Sequence, residues 1–282
     1  MSTDKDLIFR AKNYPKQRSL GQNFLVCSKT LDQIVVVSEL DAERDVVIEI
    51  GSGAGFLTER LVTNVKQLYS VELDQNAETA LKILKSTHDN FDYIRADFLS
   101  LNITDIVPAE FLKNKVKIVA NIPYQISTKI LLHLLGEMAQ ESPNRKYLSE
   151  INILVQKEFA QRLCAEPGTK SYGAITLLVS YWAEVEYCLD VPKNKFMPSP
   201  KVDSAFIKIK LRDKPLVDVK EPKQLRRLIK AIFANRRKKL LNGLRAAGYQ
   251  EEEIAKLQLS DNLRGETLTL QEMAEMVNRV VS

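Results

Sequence analysis

The 282-residue chain is 45% hydrophobic, 27% charged and 7% aromatic, which is length enough for a sizeable core or for two domains of ~150 residues, and its ten Gly and ten Pro exclude a low-complexity or collagen-like chain. Three cysteines (Cys27, Cys164 and Cys188) without C-x-x-C spacing exclude a disulfide framework and a zinc site and fit a reducing compartment. The opening residues carry acids where a signal peptide needs a cationic and then an apolar run, and no stretch reaches the ~18 apolar residues of a membrane span, so the expectation is a cytoplasmic, globular protein, monomeric by default.

The net charge of +5 is unevenly spread. Residues 1–29 carry net +4 and residues 193–245 net +13, leaving the remainder at −12. From Lys223 to Arg245 there are nine basic residues and no acid. An acidic body with a basic N-terminal arm and a basic C-terminal segment points to a polyanion such as nucleic acid, with a merely solvated basic face as the alternative.

In chain order, the predicted strands Val46–Ile50, Gln67–Val71, Asp92–Arg95, Lys117–Ala120 and Ile151–Val155 alternate with amphipathic stretches at Phe56–Val62, Asn76–Leu84 and Ser127–Leu135. Strands spaced by helices imply parallel βαβ units, hence an α/β fold with a doubly wound sheet. Ala174–Ala183 reads as a helix, and Val185–Leu189 with Ser204–Leu211 as an antiparallel pair closing the sheet. After Leu211, Pro215 and Pro222 punctuate a linker, and Lys223–Ala247, Glu251–Leu257 and Leu270–Val280 read as helices. The expected domains are 1–212 and 213–282.

Glu49-Ile50-Gly51-Ser52-Gly53-Ala54-Gly55 follows one predicted strand and opens a predicted helix, where glycines permit a tight turn and close approach of the backbone to a ligand. Glu72 ends the next strand 21 residues after Gly51, placed to accept ribose hydroxyls, and Asp97 ends the third, placed to accept an adenine amine. The spacing G-x-G-x-G, with Phe56 where a third glycine of a dinucleotide site belongs, favours S-adenosylmethionine, whose cationic groups suit an acidic rim. A dinucleotide or a ligand-free turn remains open on the loop alone.

Asn121-Ile122-Pro123-Tyr124 lies at the carboxyl end of the fourth strand, where open α/β sheets place reaction centres. The Asn121 side-chain carbonyl and the Ile122 backbone carbonyl are acceptors for the two N–H groups of an adenine amine, Pro123 fixes φ, and Tyr124 offers a stacking face. With Leu20-Gly21-Gln22-Asn23-Phe24-Leu25, the blocks Val155–Leu163 and Pro167–Gly173, Phe196-Met197-Pro198-Ser199-Pro200-Lys201-Val202-Asp203-Ser204-Ala205 and Asn235–Leu240, in that order, the chain resembles the KsgA (RsmA) family of ribosomal RNA adenine N6-dimethyltransferases. It departs from the family pattern at Ser52, where Pro is frequent, and at Ile122, where Leu is frequent.

The resemblance implies a Rossmann-like methyltransferase sheet with a small helical C-terminal domain, and S-adenosylmethionine as donor without a metal. It implies that Asn23, Leu25, Gly51, Gly53, Glu72, Asp97 and Asn121 contact the donor. Asn121 and Tyr124 would hold the target base, with Phe196 over its other face once the nucleotide leaves its stack. Arg236, Arg237, Lys238 and Lys239 would meet RNA phosphates. The substrate implied is a pair of adjacent adenosines in the 3′-terminal hairpin loop of small-subunit (16S) rRNA, on an immature small ribosomal subunit. The alternatives are an erythromycin-resistance-type enzyme acting on 23S rRNA and a non-catalytic assembly factor. His88 and His133 read as surface or core residues, the cysteines as core residues, and Glu49 as a support for the glycine loop or a donor contact.

Overall fold

The computed structural model describes residues 2–17, 20–234, 239–260 and 262–281. The elements up to the middle of the chain are α1 (Asp4–Asn13), β1 (Phe24–Leu25), α2 (Ser28–Val37), β2 (Val46–Ile50), α3 (Thr58–Leu61), β3 (Gln67–Glu72), α4 (Glu78–Thr87), β4 (Phe91–Arg95), α5 (Ile103–Ile106), β5 (Val116–Asn121), α6 (Ser127–Leu135), β6 (Gly136–Glu137) and β7 (Gln140–Glu141). There follow β8 (Leu148–Gln156), α7 (Lys157–Leu163), α8 (Ala174–Trp182), β9 (Ala183–Val191), β10 (Phe196–Met197), β11 (Ser204–Leu211), α9 (Pro222–Ala234), α10 (Leu240–Ala246), α11 (Glu251–Lys256) and α12 (Leu270–Val281).

A sheet of seven strands has the order β4-β3-β2-β5-β8-β11-β9. Its first five strands pair in parallel, and β11 is antiparallel to β8 from Ser204↔Gln156 to Lys210↔Glu150. Chain order runs outward from β2 through β3 to β4 and then returns to β5 on the other side, so a crevice opens at the carboxyl ends of β2 and β5. The apolar run Val-Val-Ile-Glu-Ile of β2 is buried throughout, as a central parallel strand covered on both faces requires. Helix α4 turns Leu81 and Leu84 inward, and its acidic N-terminus and Lys85 in the last turn suit the helix dipole.

The described chain divides into two compact units. The first is Met1–Leu134 with Pro143–Ala160 and Glu186–Leu211, and it holds the crevice. The second is Leu135–Ser142, Gln161–Val185 and Arg212–Ser282. Within that second unit α9 buries Leu225, Leu228, Ile229, Ala231 and Ile232, an apolar stripe at helical spacing. Tyr172 of the Pro167–Gly173 block stacks edge-on with Phe233 and donates to the Leu268 carbonyl at 2.9 Å.

The expected helix Lys223–Ala247 is corrected to two: α9 ends at Ala234 and α10 starts at Leu240. Lys239 has extended backbone (φ −53°, ψ 142°), and the Leu240 N–H donates to the Leu263 carbonyl at 3.0 Å instead of to the preceding turn. The helix expected over Phe56–Val62 is α-helical only from Thr58 to Leu61, because the glycine loop's turns extend to Leu57. Among the described residues no helix is long and apolar enough to cross a membrane.

Candidate active site

A cavity of about 310 Å³ opens at the carboxyl ends of β2, β3, β4 and β5, within the range of roughly 300–1,000 Å³ typical of small-molecule sites. Asn23, Leu25, Gly51, Gly53, Glu72, Asp97, Asn121 and Tyr124, scattered over a hundred residues of sequence, all line it. Phe196 does not: its ring is buried, and β10 pairs antiparallel with β1 so that Phe196 lies opposite Leu25. Stacking of Phe196 on a base therefore requires that the ring be uncovered. Arg236, Arg237 and Lys238 lie outside the described residues, and Lys239 is exposed in the second unit.

The glycine loop is held by a buried carboxylate. Gly51 leaves β2 with φ +77°, and a Cβ built there meets nothing within 4 Å, so its bare face borders open cavity. Gly53 has φ +51°, and a Cβ there would stand 2.8 Å from the Phe24 ring, so a side chain is refused on both backbone and packing grounds. The Gly53 N–H donates to Glu72 at 2.6 Å, and the Asp74 N–H donates to the other Glu72 oxygen at 2.7 Å. A carboxylate has about four lone-pair sites, so these two bonds do not exhaust it. Burial pushes the Glu72 carboxyl up in pKa, against the pull of these backbone donors.

Glu49, also on the cavity wall, is 1% exposed and accepts from the Thr58 hydroxyl at 2.7 Å. Burial, opposed by the Thr58 bond and reinforced by Glu72, pushes its pKa up to about 8. Asp97 is exposed and spends one oxygen on the Leu99 N–H at 3.0 Å, leaving the other free of that turn.

On the opposite wall, the Asn121 amide nitrogen donates to the Asn23 backbone carbonyl at 3.2 Å. That bond assigns the orientation of the carboxamide and leaves Oδ1 as the acceptor. The Tyr124 hydroxyl shares a 2.6 Å hydrogen bond with the buried Ser204 hydroxyl, tying the Asn-Ile-Pro-Tyr turn to the first residue of β11. Burial raises the Tyr124 pKa, so the phenol stays neutral.

Several contributors escape a reading of the sequence. Ser204 is one: it stands within the Phe196–Ala205 motif, but its hydrogen bond to Tyr124, 80 residues away, is seen only in the fold. Arg10 is another: it pairs with Glu59, donates to the Ala54 carbonyl at 2.7 Å and stacks over Phe56, fastening α1 beside the glycine loop. Asp74, buried and bonded to the N-terminal segment, is the third. Its position before a short helical turn announces only an N-cap. Among the described residues no group of three His, Cys, Asp or Glu side chains is arranged to hold a metal ion.

Comparison with known proteins agrees with this geometry. The family described as ribosomal RNA adenine dimethylase matches residues 13–281. The ribosomal RNA small subunit methyltransferase A of Caldanaerobacter subterraneus subsp. tengcongensis is 36% identical over 266 residues, covering 93% of this chain and 96% of that protein. The Staphylococcus carnosus protein of the same name is 37% identical over 273 residues, covering 94% and 90%. Among solved structures, a dimethyladenosine transferase from Plasmodium falciparum (TM-score 0.68, 20% identity, 90% and 94% coverage) and the 23S rRNA methyltransferase ErmE (TM-score 0.66, 24% identity, 92% and 100% coverage) share the fold. The crevice at the switch point, the glycine loop held by a buried glutamate and the carboxamide facing it across one cavity are thus those of a chain that belongs to the ribosomal RNA adenine dimethylase family, alongside its small-subunit methyltransferases.

Proposed function

We propose that this protein transfers methyl groups from S-adenosylmethionine to the N6 amines of two adjacent adenosines in the 3′-terminal hairpin loop of small-subunit rRNA, late in assembly of the subunit. The observation that carries the reading is the placement of Asn121 and Tyr124 across one cavity from Gly51, Glu72 and Asp97.

The residues fit the donor. The open face of Gly51 admits a ligand against the backbone, Glu72 has lone pairs to spare for ribose hydroxyls, and the acids of the rim suit a cation better than a phosphate. Asn23, Leu25, Gly53, Asp97 and Asn121 complete the cradle we propose. When bound, the sulfonium supplies an electrophilic methyl group.

The chain's own residues prepare the nucleophile. The lone pair of an adenine amine is conjugated into the ring. Asn121 Oδ1 and the Ile122 carbonyl, each taking one N–H, draw the nitrogen towards a tetrahedral shape and aim that lone pair along the bond to be formed. Tyr124 stacks on the ring. Catalysis here is positioning and dipole alignment. We assign no general base, because an N-methylated adenine cation is acidic enough to release its proton to water. Arg236, Arg237, Lys238 and Lys239 are proposed to hold phosphates, which position the RNA without reading its sequence.

The test uses purified protein, labelled S-adenosylmethionine and unmethylated small subunits, with large subunits in parallel and nucleosides separated after digestion. The expected product is N6,N6-dimethyladenosine from small subunits. Label confined to large-subunit RNA would move the protein to the resistance branch, and no label despite donor binding would make it an assembly factor.

A further inference from the structure

Asp74 is the most heavily engaged side chain beside the cavity, yet it does not line it. It is 1% exposed, and a carboxylate this buried is stable only if its lone pairs are used. They are used, largely by the N-terminal segment. Tyr14 Oη donates to Oδ2 at 2.9 Å, Gln22 Nε2 to the same oxygen at 2.6 Å, and Gln17 Nε2 to Oδ1 at 3.0 Å. The remaining donors belong to Asn76, whose N–H and Nδ2 both reach Oδ1 at 2.9 Å. Asn76 Nδ2 also holds the Pro15 carbonyl at 2.9 Å, and the Gln17 N–H donates to Gln22 Oε1 at 3.0 Å.

Gln22, one of the residues so gathered, stands in one wall of the cavity. Leu20, Gly21, Gln22, Asn23, Phe24 and Leu25 all line it. Regular structure holds little of this stretch: β1 contributes only the two residues Phe24 and Leu25, whose side chains are buried in the core with Tyr14 packed edge-on against Phe24. Beyond that packing, the side chains of Tyr14, Gln17 and Gln22 converge on one buried carboxylate. From the same residue the backbone N–H donates to Glu72 Oε1. Asp74 thus connects the carboxylate that faces the donor's ribose in our reading to the segment at the cavity wall.

We propose that Asp74 is a positioning residue: through Tyr14, Gln17 and Gln22 it holds residues 14–17 and 20–25 in place at the wall of the S-adenosylmethionine cavity. The inference rests on the donor assignment above only for the identity of the ligand. The clasp itself is a property of the protein alone.

The experiment has two readouts on the full-length protein, each with thermal melting as a control for folding. Backbone hydrogen exchange without ligand is expected to accelerate over the peptides spanning residues 14–25 in Asp74→Ala, while peptides from β2 and β5 stay at the wild-type rate. Equilibrium binding of S-adenosylmethionine is expected to weaken about tenfold, with kcat at saturating donor falling far less. A second variant, Tyr14→Phe with Gln17→Ala, removes donors from the segment without touching Asp74 or any residue that lines the cavity, and is expected to act in the same direction. Added to Asp74→Ala it should cost less than a further twofold, because the partners it removes are already lost. Wild-type exchange over residues 14–25 in either variant, donor binding within twofold of wild type, or full additivity of the two would overturn the proposal. If Asp74→Ala fails to fold, exchange and donor binding in the Tyr14→Phe, Gln17→Ala variant decide the clasp by themselves. A wild-type protein that does not bind S-adenosylmethionine would refute the donor assignment, while the exchange data would still decide the clasp.

Discussion

At the carboxyl ends of β2, β3 and β4 the titratable side chains around the cavity are acids: Glu49, Glu72 and Asp97, with Asp74 directly behind. At the end of β5 stand neutral side chains: Asn121 and Tyr124, backed by Ser204. The two sides are also built differently. The acidic side uses glycine backbone with Glu72 and Asp97 fixed by main-chain N–H groups, whereas the neutral side uses a carboxamide and a phenol fixed by a carbonyl and a hydroxyl. Under the proposed function this division has a reason. A diffusible cation is held by charge, and a neutral amine is activated by aligned dipoles whose effect grows only as the transition state develops. Damage on the acidic side should therefore read as lost affinity, and damage on the neutral side as lost rate.

The largest expected effect tests the neutral side. Asn121→Ala should lower kcat by about a hundred- to a thousandfold, the scale of a lost preorganised dipole, with S-adenosylmethionine affinity falling far less, as for one member of a larger cradle. A drop in affinity as large as the drop in rate would erase the contrast. Next comes Glu72→Ala, which should weaken donor binding by roughly ten- to a hundredfold, as expected for charge-assisted hydrogen bonds worth ~1.5–3 kcal/mol, and leave kcat at saturation nearly intact. Calorimetry paired with steady-state kinetics separates these outcomes.

Glu49 sharpens the comparison through pH. Its folded pKa, about 8, lies above its ordinary value of 4.5, so between those limits the folded state keeps a proton that the unfolded state has released. Stability is then full below about pH 4.5 and declines as pH rises towards 8. Relative to wild type, Glu49→Gln should flatten that decline, by on the order of 5 °C in Tm across the interval. Parallel Tm profiles for the two proteins would show that Glu49 is charged in the fold. The smallest effect is expected for Tyr124→Phe, which keeps the stacking face and loses only the bond to Ser204. It should cost about two- to fivefold in kcat/KM, measured with small subunits as substrate.

Much of this was legible in the chain itself. The apolar run of β2, the glycines after it, Glu72 at the end of β3 and Asn121 at the end of β5 are local signals, because strand ends and turn residues announce themselves within a few positions. The open sheet then brings the strand ends to one crevice, so a reading of local motifs predicts a shared site. Phe196 shows where that logic weakens. It belongs to a motif, but whether its ring is open or covered depends on β10 pairing with β1, a contact between segments far apart in sequence. The basic stretch shows the same: the first N–H of α10, that of Leu240, is taken by the Leu263 carbonyl, a partner more than twenty residues away.

By itself, the sequence determined the α/β class and the side chains gathered at the strand ends, because periodicity, glycine placement and carboxyl-end residues are properties of short stretches of chain, and the family through the resemblance of its motifs taken in order. Only the tertiary structure decided that Asn121 presents its oxygen, that Tyr124 leans on Ser204 and that Asp74 clasps the N-terminal segment. Each of those bonds joins partners about fifty to a hundred residues apart, and a hydrogen bond is set by distances of tenths of an ångström that no local pattern records.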